Sequence, residues 1–406
     1  MIFIDDRTKQ RLLTAPVSGL DEKRQTSGLA LAIVAAAVSL VLLITVGAPV
    51  QLLNTAFGVW FTEVFAFLGS GWIILRWSGY DPLQFVGARR PDGEQAGLGF
   101  AMGAANFFGI VVPLQYLQQP LIPQELKDQF DASRLFANQR PLELIVIVAG
   151  ITIAAPFCEE FVFRGIIQKG LAARFSQRTA IVATALLFSA FHLDPVGFVS
   201  RVELGILFGV LYQRTRSLWP GAMAHAANNL VSASLFLISQ KISPSQETEP
   251  HWQYVAGLSG IGLCVMAWLM IVASRKRGSE TPEISAQSQA IATEESKGQF
   301  TEDPSQAAAR PSPWRLLIPW LAAAGVSLLL LVAVDRRGVV LSLYDLAYRL
   351  PPLEKDAPSA EQQARDQLQA LRAKARRGEV SIAEYLAKRK ALRSQWHQSG
   401  RSRRLP

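Results

Sequence analysis

Apolar residues run along this chain in long blocks, separated by short polar breaks. Blocks of roughly 18 residues or more are long enough to cross a hydrocarbon core. The pattern predicts spans at about 29–49, 57–77, 97–117, 142–163, 179–193, 196–212, 218–238 and 254–273. Trp60 and Trp77 suit interface anchors of the second span, and Pro113 predicts a kink in the third. Asp194-Pro195 breaks the fifth. Residues 278–312 are rich in Ser, Glu, Gln, Thr, Ala and Pro, which is linker composition. A ninth, isolated apolar stretch follows at 314–334. The tail from about Ala360 reads as two helices, divided at Arg377-Gly378, with Ser381-x-x-Glu384 as a capping box opening the second.

These elements predict an all-α polytopic bundle of about eight transmembrane helices, a ninth isolated span and a short helical tail. The predicted divisions are an N-terminal cytoplasmic segment (1–28), a membrane unit (29–277, motif core 140–240), a disordered linker (278–312), a further span (313–335) and a basic helical tail (336–406). A cut near Gly278 is expected to leave the membrane unit folded. Residues 1–27 mix charges and lack an apolar h-region, so no cleavable signal peptide is expected.

Composition agrees with the pattern: 50% of residues are hydrophobic and 18% charged. The net charge of +9 lies almost wholly in the tail, because residues 361–406 carry 12 Lys/Arg against 4 Asp/Glu. With the N-terminus inside a cytoplasmic membrane, the clusters Arg89/Arg90, Lys169/Arg174/Arg178, Arg214/Arg216 and Arg275/Lys276/Arg277 all face the cytoplasm, as the positive-inside bias requires. Nine spans then place the tail outside. The two cysteines, Cys158 and Cys264, lie in apolar runs and form no disulfide framework. Cys158 reads as a small buried residue rather than a nucleophile. The tail has Tyr385 and Trp396 but no nucleic-acid motif, so no nucleic-acid partner is expected.

Candidate chemistry sits at the end of the fourth span. Residues 144–157 hold no charge, and then Glu159-Glu160-x-x-x-Arg164 follows. Charges inside a bilayer are costly and mark functional sites by default. Glu160 and Arg164 are four apart and can pair on one helix face. Glu159 points about 100° away, so one carboxylate can be structural while the other faces a cavity. Two further pairs with the same spacing follow on neighbouring spans, Phe188-x-x-x-His192 and His225-x-x-x-Asn229. Alone, each is as much a helix-packing device as a site; the three together are far more specific.

In these three motifs the chain resembles the CAAX proteases and bacteriocin-processing enzymes, intramembrane proteases whose eukaryotic members are Ras-converting CAAX prenyl endopeptidases. Gly205, Gly209 and residues 214–220 also resemble that family before its third motif. The resemblance covers about 140–240 and does not reach 278–406. It implies that Glu159 and His192 activate a water, that His225 and Asn229 hold the oxyanion, and that Glu160, Arg164 and Phe188 support the site. The chemistry is sensible in itself: an amide and an imidazole can both donate to developing negative charge. No cofactor is required on this reading, and Zn²⁺ held by Glu159, His192 and His225 is the alternative. The tail weakly resembles short SHOCT modules, which implies oligomerisation; contact with anionic lipid is the other reading.

The expected activity is hydrolysis of peptide bonds in membrane-associated or prenylated CAAX-like substrates, with a peptide or lipidated protein and the bilayer as partners. The alternative is a non-catalytic membrane scaffold or a bacteriocin-immunity-type protein. A transporter would favour paired halves with broken helices, and no such symmetry is present.

Overall fold

The computed structural model describes residues 18–88, 93–131, 135–136, 139–242, 251–279, 312–350 and 359–398. The linker prediction therefore lies almost wholly outside the described residues, as do residues 1–17 and the Arg89/Arg90 cluster. The described residues form helices and no strand, so this is an all-α membrane bundle.

The membrane helices are α1 (Gly28–Leu53), α2 (Thr55–Trp77), α3 (Gly93–Leu121), α4 (Pro141–Ala172), α7 (Leu218–Ser239), α8 (Trp252–Val272) and α9 (Trp314–Val334). Between α4 and α7 lie α5 (Gln177–Phe191) and α6 (Phe198–Thr215). Among the described residues, seven helices are long and apolar enough to cross a membrane by themselves. At 1.5 Å per residue, α5 spans only about 22 Å, and α6 carries Arg201, Glu203 and Arg214. These two pack along each other as a hairpin. Counting both or neither leaves the later helices on the same side of the membrane.

Helix α4 is longer than its apolar run predicts. It continues past Phe163 through a π-helical turn, Phe163–Gln168, to Ala172, and has a second π-helical turn at Gly150–Ala154. The stretch Ala155–Val162, which carries the two glutamates, lies between these turns. π-bulges free backbone groups and recur at functional sites.

Close approach of helices sets the core. A Cβ on Gly99 would stand 2.3 Å from the Pro220 oxygen, and one on Gly103 would stand 2.1 Å from the Ala224 oxygen. Small residues in α3 thus let it lie directly against α7. At one end of the bundle, Gly87 has φ +74° and faces the Arg216 carbonyl, where a side chain has no room. There Leu218 N–H donates to the Gly87 oxygen at 3.2 Å, and the Trp219 indole donates to the Ala88 oxygen at 3.1 Å.

The ninth span is not isolated. Trp320 of α9 packs on Gly69, and Leu331 joins Val50 and Phe61 in one cluster. Beyond it come α10 (Arg336–Ala347), α11 (Ser359–Arg377) and α12 (Ile382–Gln398). Ser381 Oγ accepts from Glu384 N–H at 3.1 Å, as the capping motif predicts. Leu341, Leu368, Ala375 and Tyr385 form a small core among these three helices.

The tail is docked as well as tethered. Arg376 donates to Glu143 at 2.7 and 3.2 Å and also pairs with Asp335. Asn54, at the α1–α2 turn, donates to Asp335 at 2.8 Å, and Ser342 donates to the Leu53 carbonyl at 3.0 Å. Glu143 is at the opposite end of α4 from Lys169. The tail therefore sits on the face away from the Lys169/Arg174/Arg178 loop, where an odd number of spans puts it. Arg372 and Arg389 both pair with Asp345, so part of the tail's basicity is used within the molecule.

Candidate active site

Glu160 and Arg164 are wholly buried. Arg164 Nη1 donates to Glu160 Oε1 at 2.6 Å, one helical turn away, and Nη2 donates to the Gly205 carbonyl of α6 at 3.0 Å. Its guanidinium lies 4.6 Å over the Phe188 ring and 5.2 Å from that of Phe208. One turn on, Gln168 donates to the Gly209 carbonyl at 3.0 Å. The two glycines, four apart, bare the α6 backbone to α4 and α5. A Cβ on Gly205 would stand 2.8 Å from Ala185 Cα, and one on Gly209 would stand 2.8 Å from Gln168 Oε1. The Glu–Arg pair thus ties α4 to α6 and holds Glu160 in place.

Glu159 points the other way, as its position on the helix predicts. His225 enters from α7 between the two carboxylates. Its Nδ1 is 3.5 Å from Glu160 Oε1, and its Nε2 is 3.9 Å from Glu159 Oε2. The ring stacks on Phe208 at 4.9 Å and meets the Phe188 ring edge-on at 5.6 Å. Gly221 makes room here, since a Cβ would stand 3.1 Å from Glu160 Oε2.

His192 closes α5, on the open side of the site. Its Nδ1 donates to the Phe188 carbonyl at 2.9 Å. A carbonyl can only accept, so Nδ1 carries the hydrogen and Nε2 of the neutral ring is the acceptor. Glu159 lies within electrostatic reach of both His192 and Arg164. Asn229 is one turn beyond His225. Its Nδ2 donates to the Ile151 carbonyl at 2.8 Å, inside the π-helical turn, and its Oδ1 accepts from Asn228. One N–H of the Asn229 amide therefore anchors α7 to α4 and one is left over.

The three motifs of the sequence converge on one place. Residues 141–231 match the family described as type II CAAX prenyl endopeptidase Rce1-like. The likeness is confined to this segment of the 406-residue chain. No curated protein and no solved structure matches the chain. The CAAX prenyl endopeptidase match takes in Glu159, Glu160, Arg164, Phe188, His192, His225 and Asn229. The matched segment lies within an integral membrane protein.

Among the described residues, no three His, Cys, Asp or Glu side chains are grouped to hold a metal ion. His192 commits Nδ1 to a carbonyl, and His225 lies between two carboxylates. Cys158 is buried, in keeping with a packing role.

Three features of the site are not signalled by the motifs. Phe208 is the platform under His225, and Gln168 extends the Arg164 tie. Glu63 of α2 is a third buried carboxylate, within electrostatic reach of Glu159 and Cys158. A single acid in an otherwise apolar span was the available signal. On the far face of α2, Val64, Phe65, Leu68, Trp72, Pro319 and Trp320 line an apolar cavity of about 400 Å³ against α9.

Proposed function

We propose that this protein is an intramembrane endopeptidase of the cytoplasmic membrane, with Glu159 as general base. The observation that carries this reading is the placement of His225 of α7 between Glu159 and Glu160 of α4, at 3.9 and 3.5 Å, against the Phe188 ring one turn before His192, with Glu160 already occupied by Arg164. Glu159 and the free Nε2 of His192 accept hydrogen bonds from a water, and Glu159 takes its proton as the oxygen adds to the scissile carbonyl. His225 and the remaining N–H of Asn229 donate to the oxyanion. The proton on Glu159 then passes to the leaving amine. Glu160 and Arg164 hold the α4–α6 contact that aims His225. No step is routed through a metal.

At 1.5 Å per residue, Glu159 lies about 20 Å along α4 from Ala172. That depth suits a peptide segment entering from the basic-loop face.

Glu159→Gln tests the reading. The variant keeps the shape of the side chain and removes the base. It should insert and fold normally and lose at least about 100-fold in rate. Mass spectrometry of membrane peptides from cells carrying each form should show cleavage products only with the parent protein. Near-normal turnover by purified Glu159→Gln would overturn the general-base assignment, and cleavage products from neither form would leave the chain a scaffold with polar helix contacts.

A further inference from the structure

The turn between α5 and α6 is short and heavily bonded. It runs from His192 to Gly197 and lies about 22 Å from the start of α5, at 1.5 Å per residue. Leu193, directly after His192, has φ +51°, in the left-handed region that a bulky side chain disfavours. Asp194 Oδ1 accepts from the Val196 N–H at 2.8 Å. Arg201, one turn into α6, comes back over the turn. Its Nη2 donates to the Asp194 carbonyl at 2.6 Å and to Asp194 Oδ2 at 2.7 Å. Ser189 Oγ donates to the Phe198 carbonyl at 2.7 Å, which ties the last turn of α5 to the first of α6.

Neutralising two charges at this depth needs only proximity, which a lysine would also supply. The Arg201 guanidinium instead bonds a main-chain and a side-chain oxygen of the same residue. The bonded carbonyl fixes the backbone just after Leu193, and a residue at a disfavoured φ stays there only where its surroundings hold it. Gly197 gives Arg201 its place. A Cβ there would stand 2.3 Å from Arg201 Nη1, so the guanidinium lies directly on the glycine backbone. The φ of Gly197 is −88°, which any residue adopts, so the missing side chain serves this close approach and not the backbone. His192 leads into the turn. Its N–H donates to the Ser189 carbonyl at 3.2 Å, the Leu193 N–H to the Ala190 carbonyl at 3.0 Å, and its Nδ1 to the Phe188 carbonyl at 2.9 Å. These are last-turn bonds, which fray unless something beyond the helix holds them.

We propose, on the reading of His192 as the group that orients the substrate water, that Arg201 is a positioning residue for it. The Arg201–Asp194 clasp holds Leu193 in the left-handed conformation and keeps the last turn of α5 closed. It thereby fixes where Nε2 of His192 stands. Arg201 touches no reacting atom and carries no proton in the reaction; it acts through His192 alone.

Two variants open the clasp without removing a catalytic group. Gly197→Ala adds a methyl that meets only the far end of the Arg201 side chain, at a φ that suits alanine. Arg201→Lys keeps the charge beside Asp194 and loses the fork. Two measurements on the full-length protein in proteoliposomes test the proposal. The first needs no turnover. Hydrogen exchange at the His192 and Leu193 amides should quicken at least about tenfold in both variants, while amides at Thr184 and Ala185, inside α5, keep their protection. Unchanged exchange at His192 and Leu193 overturns the proposal. The second is kcat and KM on an internally quenched peptide spanning a cleavage site found by the membrane-peptide comparison. Both variants should lose about 10- to 100-fold in kcat, the scale of a misplacement near 1 Å, with KM within about twofold of wild type. In a His192→Gln background, Gly197→Ala should cost less than about twofold more, because the group it acts through is gone. An unchanged kcat in the single variants, or a full additive loss in the His192→Gln background, also overturns it. Full activity of Glu159→Gln would remove the general-base reading instead, and the cycle with His192 would still decide the role of Arg201.

Discussion

Replacing Arg376 with leucine removes a side chain that joins the tail to both α4 and the end of α9. Arg376 lies among groups that are nearly buried: its side chain is 14% exposed, that of Glu143 9% and that of Asp335 8%. Removing one partner of a buried ion pair costs about 3–5 kcal/mol, because the other charge is stranded. Here the loss is softened. Glu143 keeps Arg140 at 2.6 Å, and Asp335 keeps Asn54 at 2.8 Å. The expected cost is about 2–3 kcal/mol, roughly 30- to 150-fold in the equilibrium between docked and undocked tail. Hydrogen exchange reads this directly. Backbone amides of α10 at the docking face, from Val339 to Ser342, should lose protection by that factor while amides around Phe161 and Phe188 keep theirs. Arg376→Lys should recover only part of the protection, because an ammonium cannot match the guanidinium fork. A change under about threefold in Arg376→Leu would mean that the small core of Leu341, Leu368 and Tyr385 and the Ser342 contact hold the tail by themselves. Truncation at Gly278 should lower the melting temperature of the membrane unit on either outcome, since it removes α9 and every contact of the docked tail.

Gly103→Val should overpack the α3–α7 contact, at about 1–3 kcal/mol, and cut kcat/KM more than tenfold by displacing His225; Gly97→Ala, with open space around its Cβ position, is the control and should be neutral in both assays. The clamp should also weaken in acid. Burial opposes the charge on Asp335, but hydrogen bonds from Arg376 and Asn54 outweigh it and hold the carboxyl below its usual range. Its contribution is therefore complete above about pH 4, the unfolded-state value, and is lost as pH falls through the lower folded one. The stability gap between wild type and Arg376→Leu, measured by fluorescence melts, should shrink in that acidic window and not between pH 5 and 8. Exhaustive chelation should leave proteolysis intact, with no stoichiometric zinc by elemental analysis; activity lost on chelation and restored by Zn²⁺ would reverse the metal-independent reading.

The membrane character, the helical class and the three motifs were legible in the sequence because each is local. A run of apolar residues is its own evidence of a span, and spacing of four puts Glu160 over Arg164 whatever surrounds them. The same periodicity shows that Glu159 leaves the helix on a different face, as it does. What a face meets is not local. Nothing near Arg164 in the chain announces the Gly205 carbonyl, 41 residues on. Nothing near Asn229 announces Ile151, whose carbonyl is met inside a π-helical turn that propensity does not encode. Length alone made α5 and α6 look like ordinary spans, whereas their packing makes them a hairpin that brings Phe188, His192 and Phe208 to the site. Glu63 and the tail were missed for the same reason. Glu63 is an odd acid in an apolar run until α2 lies against α4. The tail's arginines are surplus charge until Arg376 finds Glu143, 233 residues earlier. Sequence determined which residues carry polarity at a cost inside an apolar chain; only the tertiary structure decided which of them offset one another, because that depends on helix contacts closed over long loops.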